Sequence, residues 1–253
     1  MSHTVIKSRL NSYQAAIDYV EKNDPKVAFI LSEVGSTLNT VPIDFAGGFG
    51  AAMWAVDFHL SAMCRGIKRV ANTQRPEAAH AFWISDDTGP VTKRPIVQGI
   101  FPAAAFITDF VGSKSLGQVS EISLSDKGRF TAYAMYGIDS DRVERVALVN
   151  LKEWNEDSGS SRGSKTVTLK VDDDVSSATV RRMHADRGSL AVGYDWGGSD
   201  NNVSYAGEQW SYAIDLGKGH YTDGSMVEES IVLSNGKFEV IVPDTEAVLV
   251  FLK

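Results

Sequence analysis

The sequence predicts a chain in two architectures: an α/β region with parallel strands up to about residue 115, then an all-β region folded as an antiparallel sandwich. Two features of the chain predict this. Before residue 115, segments of helical period alternate with short apolar runs whose ends carry polar groups, the repeating grammar of a parallel α/β fold. Beyond it, short stretches of alternating polarity are separated by turn residues, as in antiparallel sandwiches. The size and composition agree: 253 residues, 43% hydrophobic and 23% charged, make a folded chain with material for a substantial core.

The elements follow in order. Ser8 to Lys22 places Leu10, Tyr13, Ile17 and Val20 at helical spacing, an amphipathic helix ended by Asp24-Pro25. Val27 to Leu31 is a short apolar run and reads as a buried strand. Phe45 to Arg65 reads as one long helix, with Met53, Trp54, Val56, Leu60 and Met63 on its buried face and Gly66 as its C-cap. Its early glycines cost helix propensity, so close packing or a ligand is expected there. Ile67 to Asn72 is a second strand, Ala81 to Ile84 part of a hairpin turning at Asp86 to Pro90, and Gln98 to Val111 a helix with Pro102 in its first turn. After a boundary near Leu116, strands are expected at Val119–Leu124, Phe130–Gly137, Arg145–Leu151, Thr166–Val171, Ala178–His184, Trp210–Ile214, Ser230–Leu233, Phe238–Val242 and Ala247–Leu252.

Composition narrows the function classes. The net charge is −7 with Lys and Arg scattered, so no nucleic-acid partner is expected. A single cysteine, Cys64, excludes an internal disulfide and a multi-cysteine metal site, and its apolar helical setting makes it a buried, inert thiol. No apolar run is long enough for a membrane helix, and the opening MSHTVIKSRL lacks the apolar stretch of a signal peptide. No histidine pair has metal-ligand spacing, and Gly47-Gly48-Phe49-Gly50 lacks the Lys-Ser/Thr of a phosphate loop, so neither metal nor cofactor is implied.

Glu33 is the foremost candidate for chemistry. It follows the strand Val27–Leu31, where α/β barrels keep catalytic groups, although a loop residue or a helix cap fits the same spacing. Asn72 and Gln74, at the end of the next strand, are either sugar-binding groups or loop residues. Trp83 is either a stacking platform for a sugar or a buried hairpin aromatic. His59, beside Asp57 in mid-helix, reads as a packing residue; His80, His184 and His220 stand isolated. Asn202-Val203-Ser204 is a glycosylation sequon, and Asp172-Asp173-Asp174 is either a solvated turn or a calcium-binding run.

The stretch ILSEVGSTLN, the following FGAAMWAVDFHLSAMCRGIKRVANTQ and the helix ending FITDFVG resemble glycoside hydrolase family 79, the β-glucuronidase and heparanase-like group, especially its fungal members. The resemblance covers nearly the whole chain but only the later part of such an enzyme. It implies the last two strands and helices of a (β/α)₈ barrel over residues 1–115 and a C-terminal β-sandwich over 116–253. It implies that Glu33 is the nucleophile of a retaining mechanism acting on a uronic-acid-containing glycoside, in an extracellular protein. Two departures concern sugar specificity. The nucleophile motif reads Ser32-Glu33-Val34-Gly35-Ser36 where many members have Gly-Glu-x-Asn-Ser, and Ile96 and Val97 stand where several members carry tyrosines for the sugar carboxylate.

A retaining glycosidase needs a second carboxylate about 5–5.5 Å away as acid/base. The family carries it as Asn-Glu on the fourth barrel strand, and the local Asn155-Glu156 falls in a turn-rich stretch of the β-region. The chain alone is therefore expected to be inactive, and to self-associate through unpaired barrel edges. The alternative is a non-catalytic carbohydrate-binding or interaction protein built on the sandwich.

Overall fold

The computed structural model describes residues 1–37, 41–75, 78–84, 95–113, 117–124, 128–138, 141–193 and 203–253. The opening helical segment is two helices, α1 (His3–Asn11) and α2 (Gln14–Asn23), not one helix over 8–22. Ser12 breaks it: its hydroxyl donates to the Arg9 carbonyl at 2.6 Å, giving the backbone an alternative to the helical ladder. Leu10 and Ile17 are buried as their spacing predicts, whereas Tyr13 is exposed.

β1 spans Ile30–Val34, three residues later than the apolar run suggests. Its parallel partner decides this. β2 (Arg69–Asn72) begins where Ile30 meets Arg69, and the turn at Asp24 holds the chain before that point. The expectation of a buried strand is corrected: Val27 is 54% and Ile30 48% exposed. The pair β1–β2 forms a sheet of its own, so neither strand gains a second neighbour among the described residues.

Between them lie a single turn, α3 (Ile43–Ala46), and the long α4 (Phe49–Met63). The helix predicted from Phe45 thus begins four residues later, after the close approach of Gly48 to the Asp44 carbonyl; a side chain at 48 would lie 2.2 Å from that oxygen. At its other end Gly66 adopts φ +83°, with its amide bonded to the Met63 carbonyl and that of Ile67 to the Ala62 carbonyl. That is the left-handed cap expected of a C-terminal glycine. A minimal hairpin, β3 (Trp83–Ile84) against β4 (Ile96–Val97), follows, then α5 (Pro102–Val111) with proline at its start and Gly112 past its end. The proposed turn at 86–90 and the boundary at 116 lie outside the described residues.

The remaining strands are β5 (Gln118–Ile122), β6 (Phe130–Tyr136), β7 (Val143–Asn150), β8 (Ser164–Lys170), β9 (Ser177–Ala185), β10 (Val203–Tyr205), β11 (Glu208–Trp210), β12 (Gly219–Tyr221), β13 (Glu229–Val232), β14 (Lys237–Pro243) and β15 (Glu246–Leu252). Nine of them make one sheet, ordered β12-β11-β10-β9-β15-β7-β6-β5 with β13 also on β9; β14 and β8 pair separately. Trp210–Ile214 is not one strand: Trp210 ends β11 and the chain turns into α6 (Tyr212–Asp215). The three-residue strands β10 and β12 escaped the sequence pattern because so short a segment carries no measurable alternation.

One face of the large sheet packs on α4 and α5: Tyr133, Met135, Ala147, Val149, Met183 and Leu249 meet Met53, Val56, Leu60, Phe106 and Phe110. The other face packs on β14, where Phe238, Val240 and Val242 meet Phe130, Leu148, Val248 and Val250. β15 lies between the two layers, sending Ala247 and Leu249 one way and Val248 and Val250 the other. That explains its near-continuous apolar sequence. A third, smaller cluster joins Ile6, Leu10 and Ile17 to Ala62 and Ile67 beneath the β1–β2 pair.

Candidate functional site around Glu33

The candidate site lies at the carboxyl end of the parallel pair. Val34 aligns with Asn72, so Glu33 and Asn72 leave the sheet at the same end. Glu33 is an exposed residue within β1, and its carboxylate lies 3.5 Å from the Thr73 hydroxyl. The strand bulges between Leu31 and Val34, a device that re-aims side chains at sheet ends.

Beneath Asn72 lies His59 of α4. The Asn72 amide nitrogen donates to His59 Nε2 at 3.0 Å. Burial pushes the His59 pKa down to about 4, outweighing that hydrogen bond, so the ring is neutral and its Nε2 is an acceptor. His59 is thus a satisfied packing residue that holds Asn72. Gln74 uses both ends of its amide on the hairpin: Oε1 accepts from the Phe82 amide and Nε2 donates to the Trp83 carbonyl at 3.2 Å. Trp83 is 47% exposed, which corrects its reading as a buried hairpin aromatic. Ile84 and Ile96 turn inward instead, and the Trp83 ring stands edge-on to Phe101 with centroids 6.0 Å apart. Ile96 and Val97 are buried in the hairpin.

The other sequence candidates lie elsewhere. Asn155-Glu156 sits in the β-region, Asn155 bridging to Gly188 and Glu156 ion-paired with Arg187. Asp174 pairs with Arg142 at 3.1 Å. His184 donates to the buried Glu246 and faces Asp186; the Glu246 bond raises its pKa against the opposing effect of burial. Burial raises the Cys64 thiol to about 12, which leaves it inert at neutral pH. Asn202 lies outside the described residues. Among the described residues no group of three or more His, Cys, Asp or Glu is arranged to hold a metal ion, and no helix is long and apolar enough to cross a membrane.

A second polar cluster had no sequence signal. His3 of α1 reaches Asp57 of α4 through Nδ1 at 3.0 Å and Glu121 of β5 through Nε2 at 3.1 Å. The Tyr133 hydroxyl donates to the same Asp57 carboxylate. Burial alone would lower the His3 pKa, but its bonds to both carboxylates outweigh it and raise the pKa to about 9. The His3 bond holds Glu121 down at about 2, against burial. Only a doubly protonated ring donates from both nitrogens, so His3 is a buried cation between two anions. It ties the helices to the large sheet.

The comparisons with known proteins fall on this frame. Residues 132–249 match the family model of the glycosyl hydrolase family 79 C-terminal beta domain. The matched residues lie within the β-region, so the similarity to family 79 is carried by its C-terminal beta domain. The chain is 26% identical over 248 residues to a beta-glucuronidase of Aspergillus niger, an alignment covering 90% of this chain and 42% of that protein. It is 26% identical over 164 residues to a beta-glucuronidase of Neurospora crassa, covering 61% of this chain and 29% of that one. The chain therefore spans less than half the length of these curated relatives. In structure it resembles a 4-O-α-L-rhamnosyl-β-D-glucuronidase of Fusarium oxysporum, with TM-score 0.76 and 22% identity over 100% of this chain and 49% of that one. Weaker fold likeness extends to a family 51 arabinofuranosidase of Xanthomonas axonopodis, with TM-score 0.55 and 13% identity, covering 100% of this chain and 48% of that chain. The family 79 β-domain begins on β6 and ends on β15, so it contains most of the large sheet and both strands of its covering pair.

Proposed function

We propose that the chain is the C-terminal portion of a retaining glycoside hydrolase similar to β-glucuronidase, in which Glu33 is the nucleophile. In this reading residues 1–115 supply the last two strands of a (β/α)₈ barrel, and residues 116–253 form the sandwich domain packed on it. The observation that carries the reading is the alignment of Glu33 and Asn72 at one end of a parallel pair whose two strands are joined through α4. Catalytic groups of α/β barrels stand at that end. Glu33 attacks the anomeric carbon of a uronic-acid-containing glycoside, and the glycosyl-enzyme ester that forms is then hydrolysed. Asn72 and Trp83 border the sugar, with Gln74 bracing the hairpin behind it. In this reading the protein acts outside the cell, as the family resemblance implies.

General-acid assistance is worth about 10²–10⁴-fold in rate. Its Asn-Glu carrier has no counterpart beside Glu33 among the described residues, and Glu156 is committed to Arg187 in the β-domain. The chain alone is accordingly inactive. A chimera tests this: the segment of the Aspergillus niger relative that precedes its aligned region, fused to this chain. The chimera should hydrolyse an aryl β-D-glucuronide, the chain alone should not, and Glu33→Gln in the chimera should abolish turnover. A folded chimera without turnover, or one that keeps it in Glu33→Gln, overturns the reading. Glucuronide binding without turnover would instead favour a carbohydrate-binding protein.

A further inference from the structure

The sequence leaves His80 as an isolated histidine, but three constraints converge on it. Gly35 lies two residues beyond Glu33, and a Cβ built there would meet His80 Nε2 at 2.3 Å and Cδ2 at 2.4 Å. The imidazole therefore occupies the space of the side chain that Gly35 lacks. Glu33 stands two residues before this contact, in the bulged stretch of β1.

The backbone around His80 is stapled from both sides. The Gln98 amide nitrogen donates to the carbonyls of Ala79 and Ala81, the residues flanking His80, and the Gln98 side chain is 1% exposed. The Gln74 side chain holds the Phe82 amide and the Trp83 carbonyl just beyond. Two glutamines thus fix a five-residue segment whose ring points at Gly35.

Two charged groups reach the ring among the described residues, Arg75 and Glu33. Burial and Arg75 lower its pKa, and the Glu33 carboxylate opposes them. At neutral pH the ring is neutral, with one donor and one acceptor.

We propose that His80 is a positioning residue for Glu33: its ring, seated on Gly35 by the Gln98 and Gln74 staples, limits the directions open to the carboxylate and offers it a hydrogen-bonding partner. The proposal explains why a glycine follows the Glu33-Val34 pair, and what the buried Gln98 holds in place. It deepens the nucleophile reading, on which it rests for its purpose. The ring–carboxylate pairing itself is independent of any glycoside.

The test is an NMR titration of the imidazole resonances in the full chain, with His80 assigned by loss of its signals in His80→Gln. The His80 midpoint should lie below the ordinary value of about 6.5. Glu33→Gln removes the favourable charge and should lower the midpoint further, by about half a pH unit or more. Gly35→Ala is the sharper variant, because the group it displaces is the far end of a side chain and the fold has no backbone to move. There the ring should swing out, the midpoint should rise toward the ordinary value, and adding Glu33→Gln should no longer change it. A midpoint indifferent to Glu33→Gln, or a Gly35→Ala chain titrating like the parent, overturns the proposal. An inactive chimera with the coupling intact removes the proposed function alone, and an active chimera without the coupling removes only the His80 role.

Discussion

The large sheet and the β1–β2 pair are built from equally apolar sequence, yet they differ in what covers them. Leu249 in β15 is fully buried, with β7 and β9 on either side, helices on one face and β14 on the other. Ile30 in β1 is 48% exposed, with one strand beside it. The Glu33 site is therefore carried by a thinly supported part of the molecule. Stability resides in the sheet and its two layers, and the candidate chemistry sits where the protein buries little.

Substitutions in the two regions should separate accordingly. Leu249→Ala should cost about 2–5 kcal/mol, as expected for a truncated core leucine. Urea denaturation of the full chain checks this, and a loss below about 1 kcal/mol would show that the sheet is not the stabilising unit.

The next effect joins the two regions. The folded pKa of His3 is about 9, above its ordinary 6.5. Its contribution is fully present below about pH 6.5 and is lost as pH rises through 9. At 1.36 kcal/mol per unit it reaches at most about 3 kcal/mol. Melting temperature followed from pH 6 to pH 10 (about the range that brackets both values) should fall in the parent and stay flatter in His3→Gln. Parallel profiles would remove His3 as the fastening between helices and sheet.

Self-association should follow the uncovered pair. Both β1 and β2 present an unpaired edge among the described residues, and such edges recruit other strands. Sedimentation velocity at rising concentration should show association that Ile30→Lys on β1 suppresses; a monomer at all concentrations would mean that these edges are protected.

The smallest effect belongs to the site itself. Val27→Ala and Glu33→Gln, both at exposed positions, should each change stability by no more than about 0.5 kcal/mol. A loss of several times that in either would show that β1, or the segment leading into it, is better packed than its exposure implies.

How far the sequence could be read depended on local information. The cap at Gly66 and the strands β6, β7, β9, β14 and β15 are written in local backbone chemistry and period-two patterning, and the structure agrees with them, whereas the helix read from Gln98 begins at Pro102. The placement of Glu33 at one end with Asn72 followed from parallel order and also agrees. Readings failed where a tertiary partner set the outcome. β1 moved toward its carboxyl end because β2 chose its register, and Trp83 is exposed although its hairpin partner Val97 is buried.

The sequence by itself determined the two textures of the chain, the C-terminal ends of α4 and α5 and the identity of Glu33 as the carboxylate at a strand's end, because these rest on contacts between near neighbours. Only the tertiary structure decided that His3 is a buried cation between Asp57 and Glu121, and that His80 fills the space at Gly35. Those partners stand 54, 118 and 45 positions apart, and no local preference encodes an approach made only when the helices, the sheet and the hairpin have packed.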